Sequence, residues 1–129
     1  MASELRVNTL KDASGNNSIA TSFVAGGSAK AWVTIDGTGT VTALDSFNTS
    51  SVADTAQARY TPAIASAFSN ANYAVGGIGD LLSGTDFFFV TLSNTNPPTT
   101  SNYEVMTCGS GGGQNDVDRL SAIAHGDLA

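Results

Sequence analysis

The chain has 129 residues, of which 41% are hydrophobic and only 12% charged, with a formal net charge of −6 and a single cysteine. That length suits one domain with a core of its own, and the polarity missing from charged residues is carried by Ser, Thr and Asn, which favour strands and turns over helices. The acidic balance and five scattered cations (Arg6, Lys11, Lys30, Arg59, Arg119) argue against direct nucleic-acid binding, and one cysteine excludes an intrachain disulfide. No window approaches the ~20 apolar residues of a membrane span, and nothing resembles a signal peptide, so the expectation is a cytosol-made protein without membrane insertion.

In chain order, residues 1–27 read as an extended N-terminal docking arm. Its sparse apolar residues, Leu5, Val7, Leu10, Ile19 and Phe23, are the candidate partner-binding side chains, interrupted at Ser14-Gly-Asn-Asn17 and Gly26-Gly27. From residue 28 to 129 the pattern is one β-rich knob. Ala29 to Ile35 alternates, with Ala29, Ala31, Val33 and Ile35 on one face and Lys30, the only tryptophan Trp32 and Thr34 on the other; Asp36-Gly-Thr-Gly-Thr40 turns the chain and Val41 to Leu44 returns as a hairpin. Asp45 to Val52 reads as a strand with Phe47 and Val52 as inward anchors, and Ala53 to Ala58 as a turn. Arg59 to Ala65 is strand-like, with Pro62 marking an edge or a bulge.

Ser66 to Asn72 is a compact turn plugged by Phe68, and Tyr73 to Ile78 the next strand, whose Gly76-Gly77 signals a bulge or a close backbone approach. Asp80 to Asp86 is a loop. Phe87 to Leu92 is the most apolar run, which predicts a central strand covered on both faces, by a second sheet or a second subunit. Asn94 to Asn102 is a surface loop, Tyr103 to Cys108 a strand, Gly109 to Asn115 a flexible connector, and Asp116 to Gly126 the last strand, with Val117, Leu120, Ile123 and Ala124 as its apolar members. The sum is an all-β chain: a single β-sandwich, jelly-roll-like, of about eight strands, carrying the arm.

Residues with chemical potential do not assemble into a recognised set. Gly109-Ser-Gly-Gly-Gly-Gln114 lacks the lysine of a phosphate-binding loop, and Asn115-Asp-Val-Asp118 lacks the spacing and closing glutamate of a calcium loop. His125 is the only histidine and Cys108, beside Met106, reads as a packed thiol. Glu4 and Glu104 are the only glutamates, one of them in the arm. Trp32 with Tyr60, Tyr73 or Tyr103 offers aromatic faces for a sugar, though core or subunit packing is the plainer use of them. The expectation is no enzyme, no catalytic residue, no metal and no cofactor.

Leu5-Arg-Val-Asn-Thr-Leu-Lys-Asp-Ala-Ser-Gly-Asn-Asn17, with Ala29-Lys-Ala-Trp-Val33, Asp45-Ser-Phe-Asn48 and Ser69-Asn-Ala-Asn-Tyr-Ala-Val75, resembles small virion structural or tail-fibre-like knob modules of tailed phages, of cyanophage and marine-phage type. The resemblance runs to about Val75 and implies a trimeric β-sandwich knob on a virion surface. Arm plus knob, without a preceding attachment domain and shaft, is the plan expected of a capsid decoration (cement) protein. It would be a homotrimer on the capsid exterior, its arm pairing with the major capsid protein. The alternative is a tail-fibre or receptor-binding tip docked on baseplate proteins, reading a host surface glycan through loops 80–86 and 94–102.

Overall fold

The computed structural model of the chain describes residues 3–79 and 88–129. Two short strands, β1 (Thr9–Lys11) and β2 (Ser18–Ala20), precede a short helix, α1 (Thr21–Gly27). Eight strands follow: β3 (Ala31–Asp36), β4 (Thr42–Phe47), β5 (Thr49–Ala56), β6 (Arg59–Ile64), β7 (Ala74–Gly79), β8 (Phe88–Leu92), β9 (Val105–Gly109) and β10 (Leu120–His125). The described residues are all-β apart from that helix. The expected eight strands of one sandwich become, among the described residues, ten strands in three antiparallel sheets, ordered β1-β2, β4-β3-β10-β7 and β5-β6-β9-β8. The added sheet belongs to the arm, which folds into a hairpin instead of staying extended.

The alternation of β3 is realised as written: Ala31, Val33 and Ile35 are fully buried while Trp32, Thr34 and Asp36 are only half-buried. β10 sits between β3 and β7 and turns Leu120, Ala122 and Ala124 inward. The other large sheet contributes Tyr60, Ile64 and Val105 to the same buried cluster, which Phe68, Tyr73, Tyr103 and Val117 complete. Small alanines on three positions of β3 and β10 leave room for these aromatics, so large residues of one sheet meet small ones of the other.

The expected strand from Asp45 to Val52 is divided at Asn48. This residue has a left-handed backbone (φ 53°), which asparagine tolerates better than most side chains. Its amide donates to the carbonyls of Lys30 (2.9 Å) and Ser66 (3.1 Å), and its Oδ1 accepts from the Ser66 N–H (2.6 Å). The chain thus passes from one large sheet to the other at a single residue. Phe47, just before the corner, is 55% exposed and no inward anchor; Val52 does pack on the core. The expected turn at 53–58 shrinks in turn, because β5 continues to Ala56 and reverses around Ala58 (φ 59°), whose N–H is held by Asp116 Oδ1 at 2.7 Å.

Pro62 lies inside the sheet, where the β6–β9 ladder breaks between Tyr60↔Val105 and the isolated bridge Ala63↔Asn102. A residue without an N–H fits that gap. Phe68 is the predicted plug, stacked on Tyr73 with ring centroids 4.2 Å apart. The run ending at Leu92 is not a central strand: β8 is an edge, with Phe88 and Val90 against the core and Phe89 62% exposed. Its apolar outer face has no cover within the described residues. The 109–115 segment is a tight turn, closed by Gly109 N–H to Gly113 O (2.8 Å) and Gly112 N–H to Gly109 O (2.9 Å). The loop expected at Asp80 to Asp86 lies outside the described residues.

At Gly77 the two sheets come close together. A Cβ there would stand 2.5 Å from Val90 Cγ1 and 3.1 Å from the Ser121 carbonyl. Gly77→Ala is therefore expected to cost about 1–3 kcal/mol through overpacking, while Gly76→Ala, at a position with open space around it, leaves stability nearly unchanged. Equilibrium urea unfolding of the pair checks this, and equal costs would deny the close approach.

Candidate functional site

The arm is built by local chemistry. Asp12 accepts from the N–H groups of Asn16 (2.9 Å) and Asn17 (3.3 Å) and from the Asn17 amide (2.7 Å), and Gly15 takes the left-handed turn position (φ 72°). Those donors, Asn16 N–H foremost, hold the Asp12 carboxyl below its usual range. The turn sets the register Leu10↔Ile19, so these two predicted docking residues oppose each other across the hairpin. Thr21 ties the end of β2 to the start of the arm, its N–H donating to Asn8 O (3.0 Å) and its hydroxyl to Val7 O (3.1 Å). Val7 is thereby placed beside the hairpin.

α1 has seven residues, no side-chain N-cap, no acidic residue in its first turn and no buried residue. Isolated helices of this length are unstable in water, so α1 needs packing from outside itself. Lys30 closes its C-terminal end, donating to Ser28 O (2.8 Å), Ser28 Oγ (2.8 Å) and the Ala25 carbonyl, where a cation also favours the helix dipole. This last turn borders the knob, Gly26 lining one shallow cavity with Tyr73 and His125. Leu5 (79% exposed), Phe23 (73%), Leu10, Ile19, Val7 and Val24 all remain uncovered. The structure thus brings Leu10, Ile19 and Val7 together on the hairpin, sets Phe23 on the helix, and leaves Leu5 apart at the beginning of the described chain.

A second uncovered apolar surface was not foreseen. The outer face of β4-β3-β10-β7 carries the directly paired row Phe47, Trp32, Ile123 and Gly76, with Ile78 beside it opposite Ser121. Ile78 is 73% exposed, and Phe47 and Ile123 are also open to solvent. The signal was present in Trp32 and Ile123, whose strands each have apolar residues on both faces. Small residues and two carboxylates, Asp45 on β4 and Asp36 on β3, share the face with the row. Trp32 therefore lies on the opposite side of its sheet from Tyr60, Tyr73 and Tyr103, which are core residues, and the sugar platform considered for these four is not assembled. Burial pushes the Tyr73 phenol up to about 12, and pushes Tyr60 and Tyr103 higher.

The remaining polar candidates have structural partners. Asp116 Oδ1 accepts from the Tyr60 hydroxyl (3.0 Å) as well as from Ala58 N–H, and Asn115 O accepts from Thr107 Oγ1 (2.6 Å). Cys108 is on β9 and His125 on β10, in different sheets. Among the described residues no three His, Cys, Asp or Glu side chains group as metal ligands. Glu104 is fully buried, and its Oε2 accepts from Thr55 Oγ1 (2.6 Å), Asn96 Nδ2 (2.9 Å) and Thr61 Oγ1 (3.4 Å), with Arg59 Nη1 3.6 Å from Oε1. Burial alone would raise this carboxyl, but hydrogen bonds from Ser93, Thr55 and Asn96 and the Arg59 charge outweigh it and hold the group below its usual range. This side chain helps to pin the loop between β8 and β9 to β5 and β6, together with Arg59 Nη1 donating to Thr95 Oγ1 (3.2 Å) and Ile64 N–H donating to Ser101 O (2.7 Å). Comparison with family models, curated proteins and solved structures finds no match to the chain.

Proposed function

We infer that the chain is a phage virion structural protein that works on the particle surface as a homotrimeric capsid decoration protein. The observation that carries this reading is the arm: a folded hairpin and helix that exposes six large apolar side chains away from a knob with its own finished core. A segment so built holds its shape and gains burial only against another molecule. In this reading the two four-stranded sheets act as one jelly-roll-like sandwich, and the distal arm residues Leu5, Val7 and Leu10 bury against the major capsid protein across joints of the shell. At ~25 cal/mol per Å² of apolar area, a contact of a few hundred Å² per arm, repeated over many copies, resists outward pressure. The phage-module resemblance of the arm and of residues 29–33, 45–48 and 69–75 supports the same assignment.

The alternative, a tail-fibre or receptor-binding tip reading host glycans, is favoured by the Glu104 anchorage of loop 94–102, which preorganises a recognition surface. Copy number per virion separates the two. Densitometry of purified particles is expected to give a ratio near one to one with the major capsid protein; a few tens of copies or fewer would move the protein to the tail and sink the decoration reading.

A further inference from the structure

Ten of the thirteen exposed large hydrophobic side chains among the described residues lie on the arm or on β4, β7 and β10. The uncovered surface of this chain is thus gathered into two patches. One is the arm; the other is the outer face of the β4-β3-β10-β7 sheet, centred on Trp32 and Ile123. Neither covers the other within one chain, since the side chains of both remain exposed.

We propose that these patches are partners between copies: α1 of one chain, through Phe23 and Val24, seats on the Phe47, Trp32, Ile123 and Ile78 face of the next. This rests on the reading that copies of the chain associate, and names the surface by which they do. Three observations select a second copy as the occupant. The first is the helix itself, which is too short to stand alone and buries none of its residues within its own chain. Charge gives the second: residues 1–27 hold two acids and two bases, so the whole −6 falls on residues 28–129. Two knobs repel each other, whereas a neutral arm laid on a knob does not.

Size is the third. A face of four strands about 4.8 Å apart and about 20 Å long offers roughly 350 Å², well short of the ~800 Å² per partner of a stable interface. Knob-to-knob contact through this face alone buries no more than the face's own area, whereas in a head-to-tail ring each copy buries its face in one contact and its arm in another, roughly doubling the area per copy. Because patch meets unlike patch, the contact is head-to-tail, and it closes a ring such as the trimer when the rotation allows. The distal residues Leu5, Val7 and Leu10 stay free for the shell.

Sedimentation velocity on the full chain tests this. Wild type is expected to associate at micromolar concentration, and Phe23→Asp alone and Ile78→Lys alone to be folded monomers. Both replaced side chains are exposed, so their loss does not touch the core. An equimolar mixture of the two variants retains one intact arm and one intact face, and is expected to give a heterodimer and nothing larger. Trp32, the only tryptophan, reports independently: its emission should shift to the red when the wild type is diluted and should already be shifted in each variant. Association surviving Ile78→Lys together with an unshifted Trp32, or a mixture that fails to pair, overturns the proposal, the second pointing to symmetric contact of two sheet faces. A wild type that is monomeric yet decorates shells overturns it too, and leaves the virion assignment standing.

Discussion

Phe68→Ala is expected to remove about 4 kcal/mol of stability, equivalent to a fall of roughly 15 °C in Tm for a chain of this length. Phe68 has no exposed ring surface to lose before substitution, and its stacking partner Tyr73 meets Tyr103 edge-on at 6.2 Å, so three rings close one end of the core as a unit. The backbone around it is equally fixed: Phe68 N–H donates to Thr100 O (2.8 Å), and a Cβ on Gly126 would come within 2.6 Å of Tyr73 Cβ and 3.0 Å of the Phe68 ring. A site clamped on both sides cannot collapse into the cavity that truncation leaves, which puts the cost toward the upper part of the usual range. Phe89→Ala, on the exposed face of β8, is the control and is expected to cost under about 1 kcal/mol. Thermal unfolding of the two variants decides; similar shifts would mean that the ring stack is not a closed core.

Glu104→Gln is expected to cost about 3 kcal/mol at neutral pH, since it turns an acceptor of several donors into a group that must itself donate and strips Arg59 of its counter-charge. The pH dependence gives the sharper test. The folded carboxyl titrates below the ordinary glutamate value of 4.5, so its contribution is complete above that value and is lost as the pH falls through the lower folded one. Wild type and Glu104→Gln should therefore differ fully at pH 7 and converge progressively in acid below about 4.5. Denaturant unfolding across this span measures it, and a difference that stays constant with pH would show that the carboxylate charge contributes nothing.

The sequence made the pleats legible and the corners obscure. The β3 alternation, the Phe68 plug and the close approach at Gly77 follow from side-chain period and residue size, which are local properties. Asn48 was hidden because an asparagine between Phe47 and Thr49 fits a continuing strand as well as a corner; what chooses the corner is a pair of carbonyls, on Lys30 and Ser66, supplied from 18 residues away on either side. The helix was missed since seven residues ending Ala-Gly-Gly show no readable 3.6-residue period and poor intrinsic propensity. For β8, the apolar run reads as a strand covered on both faces, but periodicity gives an amount of apolar surface and not what covers it, so an edge with an open outer face reads like a centre. The five candidate docking residues were legible as exposed apolar side chains in a polar segment. Their opposite number on the sheet was not, because Ile123 reads as one more core residue until register places it opposite Trp32 on the outside.

The arm enters the knob directly at β3, and β3 is flanked by β4 on one side and β10 on the other. A tug on the arm from an anchored end runs along that strand, so the two ladders are loaded in shear, with their hydrogen bonds sharing the force, instead of being unzipped one at a time. An edge strand in the same place would peel. The arm is fastened to one of the two inner strands of that sheet, the position best able to carry such a load.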